Sequence, residues 1–315
     1  MGKRFAFKRR ALDLPQGSRC PGADHVSETP RIRSAAMSSS RKTDSPATAP
    51  DKASVVPLRP GRERARPTAA RPNVVTLRAK THCIQCTLRE HCLPAGLEAE
   101  DLWEFDELFE GQRRLRKGDM LLHAGGTFVA LYAIRVGSLK ISILAEDGRE
   151  QVAGYQMAGE IIGLDGIATG CHTCNAAALE DSEVCAVPFD RLEQMAQANP
   201  VIRNSVRQLL AAEVRRNHGH MLLLGSMRAE ERVASFLLNL AERYRRRGYS
   251  GSEFVLRMTR EEIGSYLGLK LETVSRVFSR LQADGLIQAQ GRDVKLLDPP
   301  QLNHLVGREV PPSDL

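Results

Sequence analysis

The chain has 315 residues, of which 42% are hydrophobic and 26% charged, and its formal net charge is +7. This length and apolar content suit two packed domains and exclude a chain that is disordered throughout. No apolar run approaches the ~20 residues that span a bilayer, and the basic start lacks the apolar stretch of a secretory signal. We therefore expect a cytoplasmic protein with no membrane partner. In that compartment the seven cysteines favour metal or redox chemistry over disulfides.

The N-terminal segment, residues 1–78, contains 17 Lys and Arg against 6 Asp and Glu, so the rest of the chain is net acidic. The segment is rich in Pro, Ser, Ala and Arg and poor in large apolar residues, which predicts a disordered basic tail. Met37, followed by Ser-Ser-Ser-Arg, is a candidate translation start within it.

Three cysteines follow the tail in one short run, Cys83, Cys86 and Cys92, with the spacing C-x2-C-x5-C. Close-set thiolates in an otherwise cysteine-poor chain indicate a soft metal centre. A second C-x2-C pair, Cys171 and Cys174, leaves open a zinc site shared by two such pairs, since paired C-x2-C units are typical of structural zinc.

The segment from Leu115 to Phe189 is predicted to be rich in β-structure. Its short apolar runs alternate with glycine-containing turns that recur every 11 to 12 residues. This spacing predicts an antiparallel sandwich or roll.

A long helical pattern extends from about Pro200, and a second amphipathic helix is predicted from Ala229 to about Arg246. Along the first helix, apolar residues and one asparagine are spaced 4, 3, 4 and 3 residues apart, which is a heptad seam suited to a homodimer. The alternative is that this face packs on the chain's own β-domain. The predicted seam consists of Leu210, Val214, Asn217, Met221 and Leu224.

Two further helices, joined by a tight turn, follow. Thr259 and Glu262 match a capping box at the start of the first helix, Gly268 ends it, and the second begins at Leu271. The outer face near the start of the second helix is polar, as in a recognition helix that meets the base edges of double-stranded DNA. The candidate DNA-binding residues are Glu272, Thr273, Ser275, Arg276 and Arg280.

These motifs together match a known family. From about Cys83 to Val306 the chain resembles the Crp/Fnr transcription regulators, and within them the oxygen-sensing Fnr branch. The resemblance is carried by the cysteine spacing and by four further stretches: Leu131-Tyr-Ala-Ile-Arg-x-Gly137, Ala158-Gly-Glu-Ile-Ile-Gly163, Ala229-Glu-Glu-Arg-Val-Ala234, and Met258-Thr-Arg-x2-Ile-Gly-x-Tyr-Leu-Gly-Leu-x2-Glu-Thr-Val-Ser-Arg276.

The resemblance implies an α+β fold. An N-terminal antiparallel β-roll, like the jelly roll of cyclic-nucleotide-binding domains, would be followed by a long dimerisation helix and a C-terminal winged helix-turn-helix. A hairpin predicted to turn at Gly291-Arg292 would be the wing. The expected domains are the disordered basic tail (1–78), a cluster-binding loop and β-roll (79–199), the dimerisation helix (200–226) and the DNA-binding domain (227–315).

The resemblance also implies a [4Fe–4S] cluster. Its ligands would be Cys83, Cys86, Cys92 and a fourth cysteine in a strand of the form Val-Cys-x2-Pro-Phe, which here is Cys185; Cys171 and Cys174 are rivals for the fourth position. Loss of the cluster in oxygen would weaken the dimer and release an inverted repeat with TTGAT-like half-sites. The function implied is regulation of anaerobic or low-oxygen gene expression, with activation through RNA polymerase.

The resemblance argues against a cyclic nucleotide. Leu164 stands where the cyclic-nucleotide branch has a ribose-binding Glu, and His172-Thr173 stands where it has a phosphate-binding Arg-Ser pair. Two other positions depart from the Fnr pattern: His91 precedes the third cysteine, and Asn217 stands where Asp is common. They lead to the hypothesis that this protein tolerates oxygen better than its relatives.

Two alternatives stay open. One is a Crp-like regulator with structural zinc or a small-molecule effector and no redox sensing. The other is an iron–sulfur electron-transfer protein or enzyme. The second has little support, because the sequence shows no catalytic Ser/His/Asp arrangement, Gly-rich phosphate loop or HExxH motif. We therefore predict a regulator that is not an enzyme.

Overall fold

Two antiparallel sheets form a β-roll in the first half of the described chain. The computed structural model describes residues 75–77, 83–93, 95, 97–106, 108, 111–145 and 147–307. One sheet has the order β1 (Val75–Leu77), β2 (Gln112–Leu115), β9 (Ser182–Pro188), β4 (Ala130–Val136) and β7 (Ile161–Ile162). The other has the order β3 (Met120–Leu122), β8 (Asn175–Ala178), β5 (Ser138–Leu144) and β6 (Glu150–Met157).

Alternation along β4 separates two hydrophobic cores. Successive side chains of a strand point to opposite faces, so Tyr132 and Ile134 are buried between the two sheets while Leu131 and Ala133 are buried on the other face. That other face is covered by α1 (Ala99–Asp106), α2 (Phe189–Ala198) and the beginning of α3. The helix-covered face is the one on which the fourth candidate cysteine lies.

The long helix, α3 (Pro200–Ser226), is 27 residues long. Its start is fixed locally: the Oδ1 atom of Asn199 accepts hydrogen bonds from the backbone N–H groups of Val201 and Ile202, at 2.9 and 3.4 Å, and Pro200 occupies the first turn. Only Ile202 and Leu223 of this helix are buried. Most of its surface therefore has no covering within the described chain.

The C-terminal domain is a winged helix-turn-helix. It contains α4 (Ala229–Arg246), β10 (Glu253–Val255), α5 (Arg260–Leu267), α6 (Leu271–Ala283), β11 (Ile287–Gln290), β12 (Asp293–Leu296) and α7 (Pro299–Leu305), with the sheet order β10-β12-β11. The wing turns at Gly291, whose φ of +61° suits glycine. Val274, Val277, Phe278 and Leu281 bury one side of α6 against the core of this domain.

The capping box at the start of α5 forms as predicted. Thr259 Oγ1 accepts from the backbone N–H of Glu262 at 3.1 Å, and Glu262 Oε2 accepts from the backbone N–H of Thr259 at 2.8 Å. Gly268, with φ of +64°, ends the helix in the left-handed conformation. These two local signals set the angle at which α6 begins.

The β-roll and the winged domain contact each other through the β5–β6 hairpin and α5. The backbone N–H of Val152 donates to Ser265 Oγ at 2.9 Å, and Lys140 pairs with Glu262 at 3.2 Å. The ring of Tyr266 lies 5.3 Å from that of Tyr155 and is stacked at 4.2 Å on His220 of α3. The helix that precedes the recognition helix is thus held by both the roll and the long helix.

The predicted fold class is confirmed: an antiparallel β-roll is followed by a long helix and a winged helix-turn-helix. The strand β1 lies at the end of the segment predicted as a disordered tail, where two valines, a threonine and a leucine favour β-structure. Residues 1–74, with Met37, lie outside the described residues. The sequence patterns described above do not predict α1, α2, α7 or β10. Among the described helices, none has the length and hydropathy needed to cross a bilayer.

Candidate metal centre and DNA-binding surface

The three close-set cysteines lie in two successive 3-10 turns, Cys83–Gln85 and Arg89–His91. Backbone hydrogen bonds close these turns, from Cys86 N to Cys83 O at 3.1 Å and from Cys92 N to Arg89 O at 3.3 Å. The tight winding keeps three thiols within a single short loop. All three cysteines are half-buried.

Cys185 lies in β9, in the middle of the five-stranded sheet. Its backbone is paired with Gln112 of β2 on one side and with Ala133 of β4 on the other. Its side chain is on the helix-covered face, where Cys83 and Cys92 pack against the same hydrophobic cluster. The structure therefore brings the predicted strand cysteine to the predicted cysteine loop.

The four thiols influence one another electrostatically. Burial raises the pKa of Cys92 to about 12, and the neighbouring sulfurs of Cys185 and Cys86 add to the rise. Burial also raises the pKa of Cys185 to about 11, again with a contribution from Cys86. The pKa of Cys83 is raised by burial, by Asp106 and by its neighbours Cys92 and Cys185. Since a metal ligand must be a thiolate, metal binding here would release protons.

The donor set fits an iron–sulfur cluster in kind and number. Within the described part of the chain, no three His, Cys, Asp or Glu side chains surround a position for a single metal ion. A [4Fe–4S] cluster instead takes one thiolate at each iron, so its four ligands enclose a larger inorganic core. Three thiols on a loop and one on a facing strand match the ligands of such a cluster in kind and number, and four cysteines are also a ligand set of structural zinc.

Asp106 is a site residue that the sequence analysis missed. Its Oδ1 atom accepts a hydrogen bond from the backbone N–H of Cys83 at 2.6 Å, and its side chain is buried at the end of α1. Nothing in the local sequence pattern marks it, because its role depends on a contact 23 residues away. Trp103, the one tryptophan of the chain, lies on the same helix and is 56% exposed.

The rival cysteines lie elsewhere on the roll. Cys171 is in a loop, where it forms an isolated bridge with Thr127, and Cys174 directly precedes β8. The thiol of Cys174 is 3.6 Å from Thr173 Oγ1, and its backbone N–H donates to Asp165. Neither residue is among those packed against the cluster of side chains that holds Cys83 and Cys185.

The loop that corresponds to the nucleotide-binding segment contains a carboxylate. Asp165 Oδ2 accepts from the backbone N–H of Thr173 at 2.7 Å, and Asp165 Oδ1 lies 3.3 Å from Nδ1 of the buried His172. These contacts keep the pKa of Asp165 below its usual value, although burial opposes this. The carboxylate of Asp165 is therefore engaged by groups of its own loop, the backbone N–H groups of Thr173 and Cys174 among them.

The predicted DNA-reading residues lie on the outer face of α6. Glu272, Ser275, Arg276 and Arg280 are exposed, and Thr273 is half-buried. Arg280 differs from the others because its Nη1 atom donates to Glu230 Oε1 of α4 at 2.6 Å. The first turns of α6 are thus available to base edges, whereas Arg280 already has an anionic partner.

Arg260 is a cation near this surface that the sequence analysis did not select. Its guanidinium carbon lies 3.3 Å from the ring centroid of Phe278, and burial lowers its pKa to about 10. The aromatic partner comes from a different helix. A sequence pattern within one helix could not indicate this pairing of a cation with an aromatic ring.

Four of the five seam residues are exposed on α3. Leu210 is 39% exposed, Val214 53% and Met221 69%, and Asn217 is also exposed. Leu224 is half-buried and packs against the core of the winged domain. Of the predicted seam, the residues from Leu210 to Met221 therefore form an exposed, mostly apolar stripe on α3. Leu224 instead contacts the chain's own winged domain.

Comparisons with known proteins identify both halves of the fold. Residues 231–305 match the model of a Crp-like helix-turn-helix domain, and residues 112–199 match that of a cyclic nucleotide-binding domain. The FixK2 structure from Bradyrhizobium japonicum is similar, with 31% identity and a TM-score of 0.58; the match covers 64% of this chain and 98% of FixK2.

Two curated relatives are similar over nearly their whole length. The transcriptional activator protein Anr of Pseudomonas protegens is 44% identical over 238 residues, which are 75% of this chain and 98% of Anr. The fumarate and nitrate reduction regulatory protein of Escherichia coli is 38% identical over 226 residues, 72% of this chain and 90% of that protein. Both are named as regulators.

Proposed function

Because the chain belongs to the Crp/Fnr family of transcription regulators, we propose that it is a DNA-binding activator of anaerobic or low-oxygen gene expression. The name of Anr supports a role in transcription activation, and that of the Escherichia coli relative supports the regulation of fumarate and nitrate reduction. The winged helix-turn-helix with an exposed recognition face supports the DNA partner.

The sensor is a [4Fe–4S] cluster held by Cys83, Cys86, Cys92 and Cys185. The observation that carries this proposal is the packing of the cysteine loop and the β9 cysteine against one hydrophobic cluster, with mutual effects on their thiol pKa values. When bound, such a cluster supplies an oxygen-labile inorganic centre. The protein's own part is to present four thiolates, three from a loop and one from a strand.

Asp106 ties that loop to α1 through its hydrogen bond with Cys83. With the four sulfurs joined, the loop is fixed to the central strand of the sheet. With the sulfurs released, the loop is held by its own turns, by the contact with Asp106 and by packing. The oxygen state of the cell would therefore change how firmly residues 83–92 are attached to the roll.

The homodimer forms along the exposed stripe of α3, from Leu210 to Met221. Apolar residues at heptad spacing on an uncovered helix face suit a twin helix, and Leu224 completes the seam where it meets the winged domain. Two copies of α6 related by a two-fold axis would read an inverted repeat with TTGAT-like half-sites, about one helical turn apart. RNA polymerase is the partner for activation.

A cyclic nucleotide is not the effector. The nucleotide-binding domain model matches the fold of the roll, but Asp165 and His172 take up the loop where phosphate recognition would require a cation. Leu164 also offers no hydrogen bond to a ribose. A Crp-like regulator with structural zinc is the main competing function.

Anaerobic purification of the whole chain tests the proposal. We expect a coloured protein with about four iron and four sulfide per chain, which binds a TTGAT-type inverted repeat and loses that binding after exposure to air. Cys185→Ser should abolish the iron and the binding, whereas the matched variant Cys174→Ser should retain both. A colourless protein with about one zinc per chain, or binding that is equal before and after air, would refute the oxygen sensor.

A further inference from the structure

Within the described part of the chain, Glu160 lies where the β-roll, the long helix and the DNA-binding domain meet. Charged side chains from all three elements contact one another there and are largely shielded from solvent. Glu160 belongs to the turn between β6 and β7. Its backbone is fixed on both sides: its N–H donates to Met157 O at 3.0 Å, and its carbonyl accepts from Ile134 N at 2.9 Å. Its Oε2 atom accepts from Met157 N at 3.2 Å. The carboxylate therefore has a fixed position on the roll.

Three arginines from the other two elements converge on this carboxylate. From α4, Arg243 donates to it through Nε at 3.1 Å and Nη2 at 2.6 Å, and from just beyond that helix Arg247 donates through Nη2 at 2.7 Å. From α3, Nη1 of Arg216 lies 3.8 Å from Oε2. Two of these arginines also donate hydrogen bonds to the backbone of the roll. Nη2 of Arg243 donates to Tyr155 O at 2.7 Å, and Nε of Arg247 donates to Ala158 O at 2.5 Å.

The cluster is buried enough for its charges to matter. The side chain of Glu160 is 20% exposed, that of Arg243 17% and that of Arg247 8%. The three guanidinium groups hold the pKa of Glu160 below its usual value although burial opposes this, and burial lowers the pKa of Arg247. Removing the carboxylate would leave poorly solvated cations facing one another, which is far more costly than losing a surface pair.

The same turn touches the cysteine loop. Gly159, the residue before Glu160, has a φ of +88°, and a Cβ atom placed on it would lie 3.0 Å from Cβ of His91 and 3.4 Å from its carbonyl oxygen. His91 directly precedes Cys92. In addition, Gly159 N donates to Ile134 O at 2.8 Å on β4, and the preceding residue of β4, Ala133, is paired with Cys185. The turn that carries Glu160 thus lies against the cysteine loop and is hydrogen-bonded to the strand that pairs with β9 at Cys185.

We propose that Glu160 is a positioning residue for DNA binding. Its contacts with Arg243, Arg247 and Arg216 fix the winged domain against the roll. The contact of Gly159 with His91 makes this docking depend on the cysteine loop. The dependence on the cysteine loop rests on the proposed oxygen-sensing function. The docking itself depends only on the contacts of Glu160 with the three arginines. Glu160 makes no contact with DNA in this role; it acts through the arginines.

Operator affinity, measured on the full-length chain purified anaerobically, tests the docking. Glu160→Gln keeps the size of the side chain and removes its charge, and we expect it to weaken operator binding about tenfold or more. The dimer mass and the iron content should stay close to those of the unaltered protein. The matched control is Glu242→Gln on α4, whose partners Arg245 and Arg246 are exposed; its affinity should change less than twofold.

A double-variant cycle separates positioning from a general loss of structure. Arg243→Gln should also weaken binding, and the two together should weaken it by clearly less than the sum of the two single losses, because both remove the contact between Glu160 and Arg243. Arg243→Lys, which keeps the charge but not the two-pronged contact, should fall between the unaltered protein and Arg243→Gln. If a glutamine variant fails to fold, the operator affinity of Arg243→Lys still tests the contact.

Three results would overturn the docking role: an unchanged affinity of Glu160→Gln, additive losses in the cycle, or a loss of affinity matched by an equal loss of dimer. A separate measurement tests the dependence on the cysteine loop. The operator affinity before exposure to air is divided by the operator affinity after it, and this ratio should be smaller for Glu160→Gln than for the unaltered protein. If the unaltered protein shows no such ratio, the oxygen sensor is refuted while the affinity of Glu160→Gln still decides the docking.

Discussion

The guanidinium of Arg280 donates to the carboxylate of Glu230 at 2.6 Å, which ties the recognition helix to the first turn of α4. The two side chains are 66% and 36% exposed. An exposed pair of this kind contributes about 0–1 kcal/mol. A DNA phosphate could therefore replace Glu230 at little cost, which suggests that Arg280 contacts the backbone of DNA and not its bases.

Alanine substitutions on α6 should separate these two kinds of contact. Arg276→Ala should cost about 1–3 kcal/mol of binding and relax the sequence preference at one position of each half-site. Arg280→Ala should weaken binding to all sequences similarly and reduce its salt dependence. Titrations with matched and single-substituted operators at several salt concentrations measure both effects. Equal loss of specificity in the two variants would contradict the assignment.

The exposed stripe on α3 should carry the dimer. Val214→Asp places two carboxylates near each other across a two-fold seam, and we expect the dimer dissociation constant to rise roughly a hundredfold, about 2.8 kcal/mol. The control is Gln208→Asp, which adds the same charge at an exposed position about 120° around the helix from Val214, at 100° per residue. Sedimentation at several protein concentrations measures the difference. If Gln208→Asp dissociates the dimer equally, the seam is misplaced.

Asp106 should stabilise the cysteine loop against loss of metal. Because its carboxylate accepts from the backbone N–H of Cys83, Asp106→Ala should release the start of the loop and accelerate the loss of iron in air by about 10- to 100-fold, the usual effect of an outer partner of a metal ligand. Asp101→Ala on the same helix is the control. The decay of visible absorbance after exposure to air is the measurement, and identical decay in both variants would exclude the role.

Two glycines with the same backbone angle allow strain to be separated from crowding. Gly118 and Gly137 both have a φ of +89°, but a Cβ atom at Gly118 would meet nothing within 4 Å, whereas at Gly137 it would lie 2.9 Å from the Cα atom of Ser182. Gly118→Ala should cost about 1–3 kcal/mol of unfolding free energy from strain alone. Gly137→Ala should cost a further ~1–3 kcal/mol from overpacking. Urea unfolding of both variants measures the difference.

Much of the winged domain could be predicted from the sequence because its signals are local. The capping box at Thr259, the turn at Gly268 and the wing turn at Gly291 each depend on residues within a few positions of one another. The cluster at Glu160 could not be predicted, since its arginine partners are 83 and 87 residues away in the sequence. The same applies to Asp106.

Periodicity alone also left one ambiguity on the long helix. The heptad spacing predicts the same environment for Leu224 as for Val214 and Met221. In the structure, Leu224 packs against the winged domain while the other two are exposed. A repeat of 3.5 residues identifies a face of a helix but not what covers it at each turn. The covering depends on where the neighbouring domain docks, which here involves the contacts of α5 with α3 and the roll.

Trp103 has a practical consequence. It is the chain's single tryptophan, and it lies three residues before the aspartate that holds the cysteine loop. Ultraviolet-excited indole emission from the unlabelled protein therefore originates at one point close to the candidate centre. A chromophore nearby that absorbs at the emission wavelength would quench that emission by resonance energy transfer, so the brightening of the indole in the purified protein would follow cofactor breakdown in real time.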